Sequence, residues 1–332
     1  MQSFFYMMHD VIQNSTNIVI VSHKNPDGDA VGSSLALYHY LKKIKKQVTV
    51  VLPDSFPDYF QWLNGTEHII IAENHLLKAK EKLDEADLIF CLDFNDLSRI
   101  GSLEDSLKNS NAFKIMIDHH QNPKDFADFD FHNPKACSTA QLIYEFTESY
   151  GDLNLIDATI GECIYTGIIT DTGSFKYSNV DSKTHTIAAD LIHRGLDHNK
   201  VHESIFDQNS ISRLHLLGYA LGKIEVMEDL PVAFIALSKK DLKRFNFSKG
   251  DTEGLVNYCL SINGIDVAAF IKEDVHIIKM SFRSKGIIKV NEFASKYFNG
   301  GGHLNAAGGR SDLTFIETVE KFKVSIKLFL ND

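Results

Sequence analysis

Short apolar runs and helical patterns alternate along the first half of the chain. The apolar runs are rich in Val and Ile, each is bounded by Gly, Pro, Asn or Asp, and they lie at 17–22, 48–52, 68–72, 86–93 and 113–118. Helical patterns at 31–43 and 74–84 separate some of these runs. Because near-continuous apolar runs are typical of strands buried on both faces, the pattern predicts a mostly parallel sheet covered by helices.

The pattern changes twice further along. Residues 138–195 are helical in pattern, and 203–226 predict one or two helices that join two halves. A second unit then follows, with strands predicted at 231–238, 265–273 and 276–284 and helices at 252–260, 290–298 and 316–330. Only two residues separate its last two strands, which predicts a hairpin.

The chain length of 332 residues suits two domains. We therefore expect an α/β protein with an N-terminal domain at 1–195, a helical linker at 196–229 and a smaller α/β C-terminal domain at 230–332. The expected site lies in a cleft between the two domains.

Composition narrows the class of protein. Lys and Arg number 34 and Asp and Glu number 44, so the formal charge is −10, which disfavours binding to a long nucleic-acid duplex. No apolar run has the length of a membrane span, and the N-terminus lacks the basic start of a signal peptide. The four cysteines show no close pairing, which fits a reducing, cytoplasmic location without disulfides or membrane contact.

Acidic and histidine residues cluster where three of the predicted strands end. They are His23, Asp27 and Asp29 after the first strand, Asp93 after the fourth, and Asp118, His119 and His120 after the fifth. Taken singly, an Asp at a strand end is more often a turn residue than a ligand. The carboxyl ends of parallel strands meet at one edge of a sheet, however, so these side chains are expected to share a crevice. Asp171, in TGIITDTGSF, is a further candidate.

Electrostatics favours a metal site at this edge. Carboxylates cannot gather in ionised form in a half-buried cleft unless a positive charge compensates them. Mixed His and Asp ligands suit Mn²⁺, ahead of Mg²⁺, Zn²⁺ and Fe²⁺. If Asp27 and Asp29 point in alternate directions and Asp93 bridges, two ions about 3.5–4 Å apart are expected, an arrangement used in phosphoryl displacement.

The segments SHKNPDGDAVGS, CLDFND, IDHH and TGIITDTGSF resemble, in this order, the motifs of the DHH phosphoesterase superfamily. The resemblance covers residues 17–175 and is nearest to the nanoRNase/pAp phosphatase group. It implies two metal sites that share one residue. The ligands of one are His23, Asp27 and Asp93, and those of the other are Asp29, Asp93, His119 and Asp171.

The same resemblance implies roles for the remaining residues of the motifs. His120 would contact the scissile phosphate or assist the leaving group, and Asp118 would orient the histidines. Together with the shared ligand Asp93, His120 and Asp118 are the predicted catalytic residues.

The segment FNGGGHLNAAGGR is rich in glycine. It could be a flexible connection, but it could also allow backbone N–H groups to approach an anion. With SFRSKG, it resembles the DHH-associated C-terminal domain over residues 230–330. That resemblance implies that Arg283, Ser284, Gly301, Gly302 and His303 lie at the substrate.

These observations predict a metal-dependent phosphodiesterase and 3′-nucleotidase with two divalent ions, Mn²⁺ ahead of Mg²⁺. Its expected substrates are short single-stranded oligoribonucleotides, cleaved to mononucleotides, and adenosine 3′,5′-bisphosphate (pAp), cleaved to AMP. One alternative is a stand-alone cyclic di-AMP or pApA phosphodiesterase. An alternative of another class is a non-catalytic nucleotide-binding regulator. The sequence leaves a homodimer open.

Overall fold

The computed structural model describes residues 2–275 and 277–331. It divides into an N-terminal unit, Met1–Gln208, and a C-terminal unit, Asn209–Asp332. The division falls inside the segment 196–229 for which the sequence predicts a helical linker.

The N-terminal unit is built on a parallel sheet, as predicted. Its strands run in the order β3-β2-β1-β4-β5-β6. They are β1 (Asn17–Val21), β2 (Gln47–Leu52), β3 (Ile70–Ile71), β4 (Leu88–Leu92), β5 (Phe113–Asp118) and β6 (Phe129–His132). The helices are α1 (Gln2–Asn14), α2 (Gly28–Lys43), α3 (Ala72–Asp84), α4 (Glu104–Asn109), α5 (Thr139–Ser149), α6 (Ala158–Asp171), α7 (Ser182–His193) and α8 (His198–Phe206).

Both faces of this sheet are covered. Ile18 and Ile20 of β1 pack into one hydrophobic core, and Val19 and Val21 pack into a second core on the opposite face. Alternate residues of a strand point to opposite faces, so an uninterrupted apolar strand is stable only when both faces are buried. The continuous apolar runs of the sequence therefore predicted the layering correctly.

Two edge features differ from the prediction. The run predicted as a strand at 68–72 contributes only the two residues of β3, because Thr66–His68 form a 3₁₀ turn. The sequence analysis missed β6, whose FDFH segment alternates aromatic and polar residues and is too short to give a clear pattern.

The C-terminal unit carries a mixed sheet of its own, in the order β11-β12-β10-β9-β8-β7. The strands are β7 (Glu225–Val226), β8 (Val232–Leu237), β9 (Val267–Glu273), β10 (Ile278–Ser284), β11 (Gly301–His303) and β12 (Ala306–Ser311). The helices are α9 (Ile211–Leu221), α10 (Lys239–Arg244), α11 (Leu255–Leu260), α12 (Val290–Phe298) and α13 (Phe315–Asn331).

The predicted hairpin is confirmed, since β9 and β10 pair antiparallel. The helical segment predicted at 203–226 ends earlier, at Leu221, and its last two residues form strand β7. The glycine-rich segment is a hairpin, β11–β12, and not an irregular connection. Across the described residues, each helix is too short or too polar to cross a membrane.

Candidate active site

The three predicted clusters lie at adjacent strand ends. β4 lies between β1 and β5 in the sheet, and all three run parallel. The loops after these strands therefore leave the same edge side by side. The contacts described below show that the structure brings together the side chains that the sequence placed there.

Asp93 is at the centre of the cluster. The residue is only 2% exposed and its φ is +64°, a left-handed conformation that Asp and Asn adopt more readily than other side chains. Its Oδ2 lies 3.1 Å from Nε2 of His23, and its Oδ1 lies 3.6 Å from Nε2 of His119. Each oxygen of the Asp93 carboxylate thus faces a different histidine.

The first group of ligand atoms belongs to His23, Asp27 and Asp93, which lie within 4.8 Å of one another. Nδ1 of His23 lies 2.9 Å from the carbonyl oxygen of Lys24. The 3.1 Å hydrogen bond to Asp93 places a proton on Nε2 in the absence of metal; when that proton is lost and Nδ1–H donates to the carbonyl, the Nε2 lone pair would serve a metal ion. Asp27 caps helix α2, because its Oδ1 accepts hydrogen bonds from the backbone N–H groups of Asp29 and Ala30 at 3.1 Å each.

The second group belongs to Asp29, His119 and Asp171. Nε2 of His119 lies 3.8 Å from Oδ2 of Asp29 and 3.4 Å from Oδ2 of Asp171. Nδ1 of this histidine lies 3.3 Å from the carbonyl oxygen of Ala136, so the ring is oriented by backbone, as in His23. The first group contains the residues of the first implied ligand set, and the second group contains those of the second set apart from Asp93; that they bind metal stays a prediction.

Helix α5 also takes part in the site. Its first backbone N–H groups, those of Thr139 and Ala140, donate to the two oxygens of Asp29 at 2.6 and 2.8 Å. The hydroxyl of Thr139 donates to Oδ1 of Asp93 at 3.0 Å. The signal in the sequence was the Ser-Thr pair at the helix start, where Ser138 is the N-cap.

Close helix packing brings Asp171 to the cluster. Helices α2 and α6 approach at Gly167, where an added Cβ would lie 2.6 Å from Oδ1 of Asp29. A side chain larger than hydrogen would therefore displace this carboxylate. Asp171 is the last residue of α6, so this packing carries it to the carboxyl edge of the sheet.

Asp118 and His120 form a hydrogen-bonded pair beside Asp93, whose Oδ1 lies 3.6 Å from Nδ1 of His120. Oδ1 of Asp118 lies 2.7 Å from Nδ1 of His120, and Oδ2 accepts the backbone N–H of His120 at 3.0 Å. Asp118 is fully buried. Asp118 therefore orients His120, while the backbone carbonyl of Ala136 orients His119. That Asp118 orients the histidines as a functional role stays a prediction.

The pKa values reflect crowded like charges. Burial, together with the charges of Asp93 and Asp171, raises the pKa of Asp29 well above its ordinary value. Burial would raise the pKa of Asp93 too, but its hydrogen bond to His23 and the charges of His120 and His119 hold it far below. Burial lowers the pKa of His23 and His119, yet neighbouring carboxylates outweigh it and raise both. The carboxylates of the site thus favour a positive charge beside them.

The donor set fits divalent metal ions. Each group offers imidazole nitrogen and carboxylate oxygen, with ligand atoms converging within 4.8 Å, and backbone carbonyls fix both histidine rings. Divalent first-row ions take imidazole and carboxylate ligands together, whereas Mg²⁺ favours oxygen ligands. Because the carboxylates repel one another without a cation, a divalent ion would stabilise this arrangement.

The predicted substrate residues of the C-terminal unit lie at one end of its sheet. Ala306 of β12 pairs with Arg283 on one side and with His303 on the other. Directly paired residues point to the same face, so Arg283 and His303 flank Ala306 roughly 9–10 Å apart. The hydroxyl of Ser284 is used within the unit, since it donates to the carbonyl oxygen of Ile288 at 2.5 Å and accepts from Asn305.

The two glycines predicted to meet substrate differ. Gly302 has φ +141°, and an added Cβ would lie 2.6 Å from the carbonyl oxygen of Ala306, so the hairpin itself requires glycine there. Gly301 is exposed and an added Cβ would meet open space. Within the described residues, the geometry of the hairpin thus explains the glycine at position 302 but not the glycine at position 301.

Comparison with known families agrees with the two units. Residues 17–168 match the DHH family, N-terminal domain, and residues 229–332 match the DHHA1 domain. The chain is 28% identical over 293 residues to the bifunctional oligoribonuclease and PAP phosphatase NrnA of Bacillus subtilis, covering 88% of each chain. It is 30% identical over 304 residues to the NrnA of Mycoplasma genitalium, covering 90% of each.

A solved structure is also similar. An exopolyphosphatase-related protein from Bacteroides fragilis superposes with a TM-score of 0.95 at 39% identity, covering 99% of this chain and 97% of the other. The similarity extends over both units, so the relationship covers the whole chain.

Proposed function

The chain belongs to the DHH family of metal-dependent phosphoesterases, and on that premise we propose that it hydrolyses short oligoribonucleotides to mononucleotides and pAp to AMP. The observation that carries the proposal is the position of Asp93, whose two oxygens face two separate groups of ligand atoms. Such paired groups suit in-line displacement at phosphorus. The names of the relatives from Bacillus subtilis and Mycoplasma genitalium support the substrate class.

We propose two Mn²⁺ ions as the cofactor. His23, Asp27 and Asp93 would hold one ion, and Asp29, His119 and Asp171, with Asp93, would hold the other. When bound, such ions lower the pKa of water and balance charge on the phosphate oxygens. Mn²⁺ is preferred to Mg²⁺ because the donor set mixes imidazole with carboxylate, whereas Mg²⁺ favours oxygen alone.

His120 is the proposed contact to the reacting phosphate. Asp118 holds its Nδ1 at 2.7 Å, which fixes the ring, and Nε2 is the atom that we propose contacts substrate. Burial lowers the pKa of His120, so near neutral pH the ring is mainly a neutral imidazole. In that state Nε2 accepts a proton, and a proton gained there can pass to the departing ribose oxygen.

The C-terminal unit is the proposed nucleotide-binding part. Arg283 and His303 present their side chains on one face of its sheet, on either side of the small residue Ala306. An arginine fork matches phosphate oxygens, and an exposed glycine such as Gly301 lets backbone approach an anion. Gly302 and Ser284 would then support the hairpin and loop that carry these residues.

A substrate panel tests the proposal. Chelator-treated protein reloaded with Mn²⁺ is assayed on pApA, pAp, cyclic di-AMP and a long single strand. We expect turnover of pApA and pAp well above that of the other two. Turnover of cyclic di-AMP alone would favour the alternative phosphodiesterase, and nucleotide binding without any turnover would favour the regulator.

Asp93→Asn provides the matched inactive variant. Asn tolerates a positive φ, so the backbone at this position is kept while the charge is lost. The control is Asp96→Asn, because Asp96 caps the next segment by accepting from the N–H of Ser98 at 2.9 Å, and Asn caps equally well. The proposal is supported if Asp93→Asn loses turnover by several orders of magnitude while Asp96→Asn retains it.

The proposed site of action is the cytoplasm. The four cysteines are all buried free thiols, as suits a protein that keeps its thiols reduced.

A further inference from the structure

Arg99 is fixed beside the metal centre although no motif of the sequence analysis includes it. It lies in the 3₁₀ segment Leu97–Leu103, which follows β4 and Asp93. Its carbonyl oxygen accepts the backbone N–H of Lys24 at 2.8 Å, and Lys24 directly follows the ligand His23. The backbone of Arg99 is thereby tied to the loop that carries the first group of ligands.

The charge of Arg99 reaches the site. Its guanidinium lies close enough to the rings of His120 and His23 for its positive charge to act on both. The side chain is half-buried, and among the described residues its guanidinium has no carboxylate within 4.0 Å, despite the acidic surroundings.

The charges of the site leave a need for such a cation. The clusters contain five carboxylates, those of Asp27, Asp29, Asp93, Asp118 and Asp171. Two divalent ions would balance four of these charges and leave one, while a nucleotide phosphate brings at least one more negative charge. An approaching phosphate is therefore repelled unless a further positive group lies near it.

We propose that Arg99 binds a phosphate of the nucleotide substrate, as a specificity residue of the N-terminal unit. The inference rests on the proposed function for the identity of the substrate. The guanidinium is planar and offers paired N–H donors that match two phosphate oxygens, whereas an ammonium group acts as a point charge. A fork without an ion-pair partner is ready to make that contact without first breaking another.

Binding measurements test this role apart from turnover. Calorimetry on the Mn²⁺-loaded protein compares AMP with adenosine, which lacks the phosphate. We expect Arg99→Gln to weaken AMP binding about 10- to 100-fold, the range of a charge-assisted hydrogen-bonded pair, and to leave adenosine binding unchanged. Arg99→Lys should fall between wild type and Arg99→Gln, and it replaces Arg99→Gln if that variant does not fold.

Lys108→Gln is the matched control for net charge. Lys108 is exposed on α4. This helix leads into the amino end of β5, whereas the metal centre lies at the carboxyl ends of the strands. The AMP affinity of Lys108→Gln should equal that of the wild type, and all variants should bind the same amount of Mn²⁺.

Two outcomes would overturn the inference: unchanged AMP affinity in Arg99→Gln, or an equal loss of AMP and adenosine binding. The proposed function is tested by a separate measurement, the turnover of nucleotides by the wild type. If wild type hydrolyses pApA while Arg99→Gln keeps the same KM and kcat, only the role of Arg99 fails. If wild type hydrolyses no nucleotide, the proposed function fails, and the comparison of AMP with adenosine still decides on Arg99.

Discussion

Thr139 donates its hydroxyl to Oδ1 of Asp93 at 3.0 Å, from the first turn of a helix that lies 46 positions further along the chain. The contact is buried on both sides. It fixes the orientation of the carboxylate that faces both groups of ligand atoms. A metal site whose ligands are supported in this way loses metal affinity or activity when the supporting hydrogen bond is removed.

Thr139→Val therefore tests the support of Asp93. Valine has nearly the same shape but no hydroxyl, so we expect a 10- to 100-fold loss of Mn²⁺ affinity or turnover, the range for such supporting contacts. Thr139→Ser keeps the hydroxyl and should retain most of both. Calorimetric titration of Mn²⁺ measures the effect, and equal behaviour of the two variants would show that the hydroxyl has no such role.

Asp27 combines two roles that substitution can separate. It caps α2, and it belongs to the first group of ligand atoms. Asp27→Asn keeps a capping oxygen but loses the charge, so the metal-free stability should change little while turnover falls by at least tenfold. Asp27→Ala should in addition lose about 1 kcal/mol of stability.

Urea unfolding in the presence of chelator measures the capping role of Asp27, and Mn²⁺-dependent turnover measures its role as a ligand. Full activity in Asp27→Asn would remove Asp27 from the ligands, since Asn preserves the cap.

The pKa shifts predict how pH affects the metal-free protein. The pKa values of His23, His119 and Asp29 are raised on folding, so the folded state holds more protons than the unfolded state, and stability falls as pH rises through the raised values. The pKa of His120 is lowered, which affects stability only below about 6.5. From about pH 6.5 upward, the melting temperature in chelator should decrease.

Mn²⁺ should reverse this trend, because ligands bind metal in their deprotonated forms and rising pH strengthens the binding. The difference in melting temperature between Mn²⁺-loaded and metal-free protein should grow from pH 6.5 to 8.5. His23→Gln should flatten the pH dependence in chelator, whereas replacing the exposed His68 by Gln should not. A metal-free protein whose stability is constant over this range would contradict the electrostatic account.

The glycine-rich hairpin offers a paired substitution. Gly302→Ala should destabilise the C-terminal unit, since its φ of +141° and the nearby carbonyl oxygen of Ala306 leave no place for a Cβ. Gly301→Ala should fold normally because its Cβ would meet open space, but it should raise the KM for pApA if substrate approaches the backbone there.

Thermal unfolding and steady-state kinetics compare these two glycines. A Gly301→Ala enzyme with unchanged KM would place the nucleotide elsewhere.

The sequence predicted those parts of the site that follow from sheet topology. His23, Asp93 and His119 were found because each follows a strand, and parallel neighbouring strands deliver their ends to one edge. Thr139 and Arg99 could not be found in this way. Thr139 reaches Asp93 through the packing of helix α5, and the backbone of Arg99 is tied to Lys24 by a loop contact. Neither contact leaves a periodic pattern in the sequence.

The two strands of the glycine-rich hairpin were not predicted, for a related reason. Glycine lacks strand propensity, so propensity alone favours a loop there. What makes Gly302 necessary is the close approach of β11 to Ala306 of β12, a tertiary contact. The domain boundaries and the roles of the site residues stay predictions for the experiments above.

The number and coupling of bound Mn²⁺ ions test the central claim most directly. Metal analysis and electron paramagnetic resonance of the reloaded protein should give two Mn²⁺ per chain with an exchange-coupled signal, because Asp93 offers one oxygen to each group of ligands. Asp93→Asn should lose the coupled signal while staying folded. One ion per chain, or two ions without coupling in the wild type, would contradict the account.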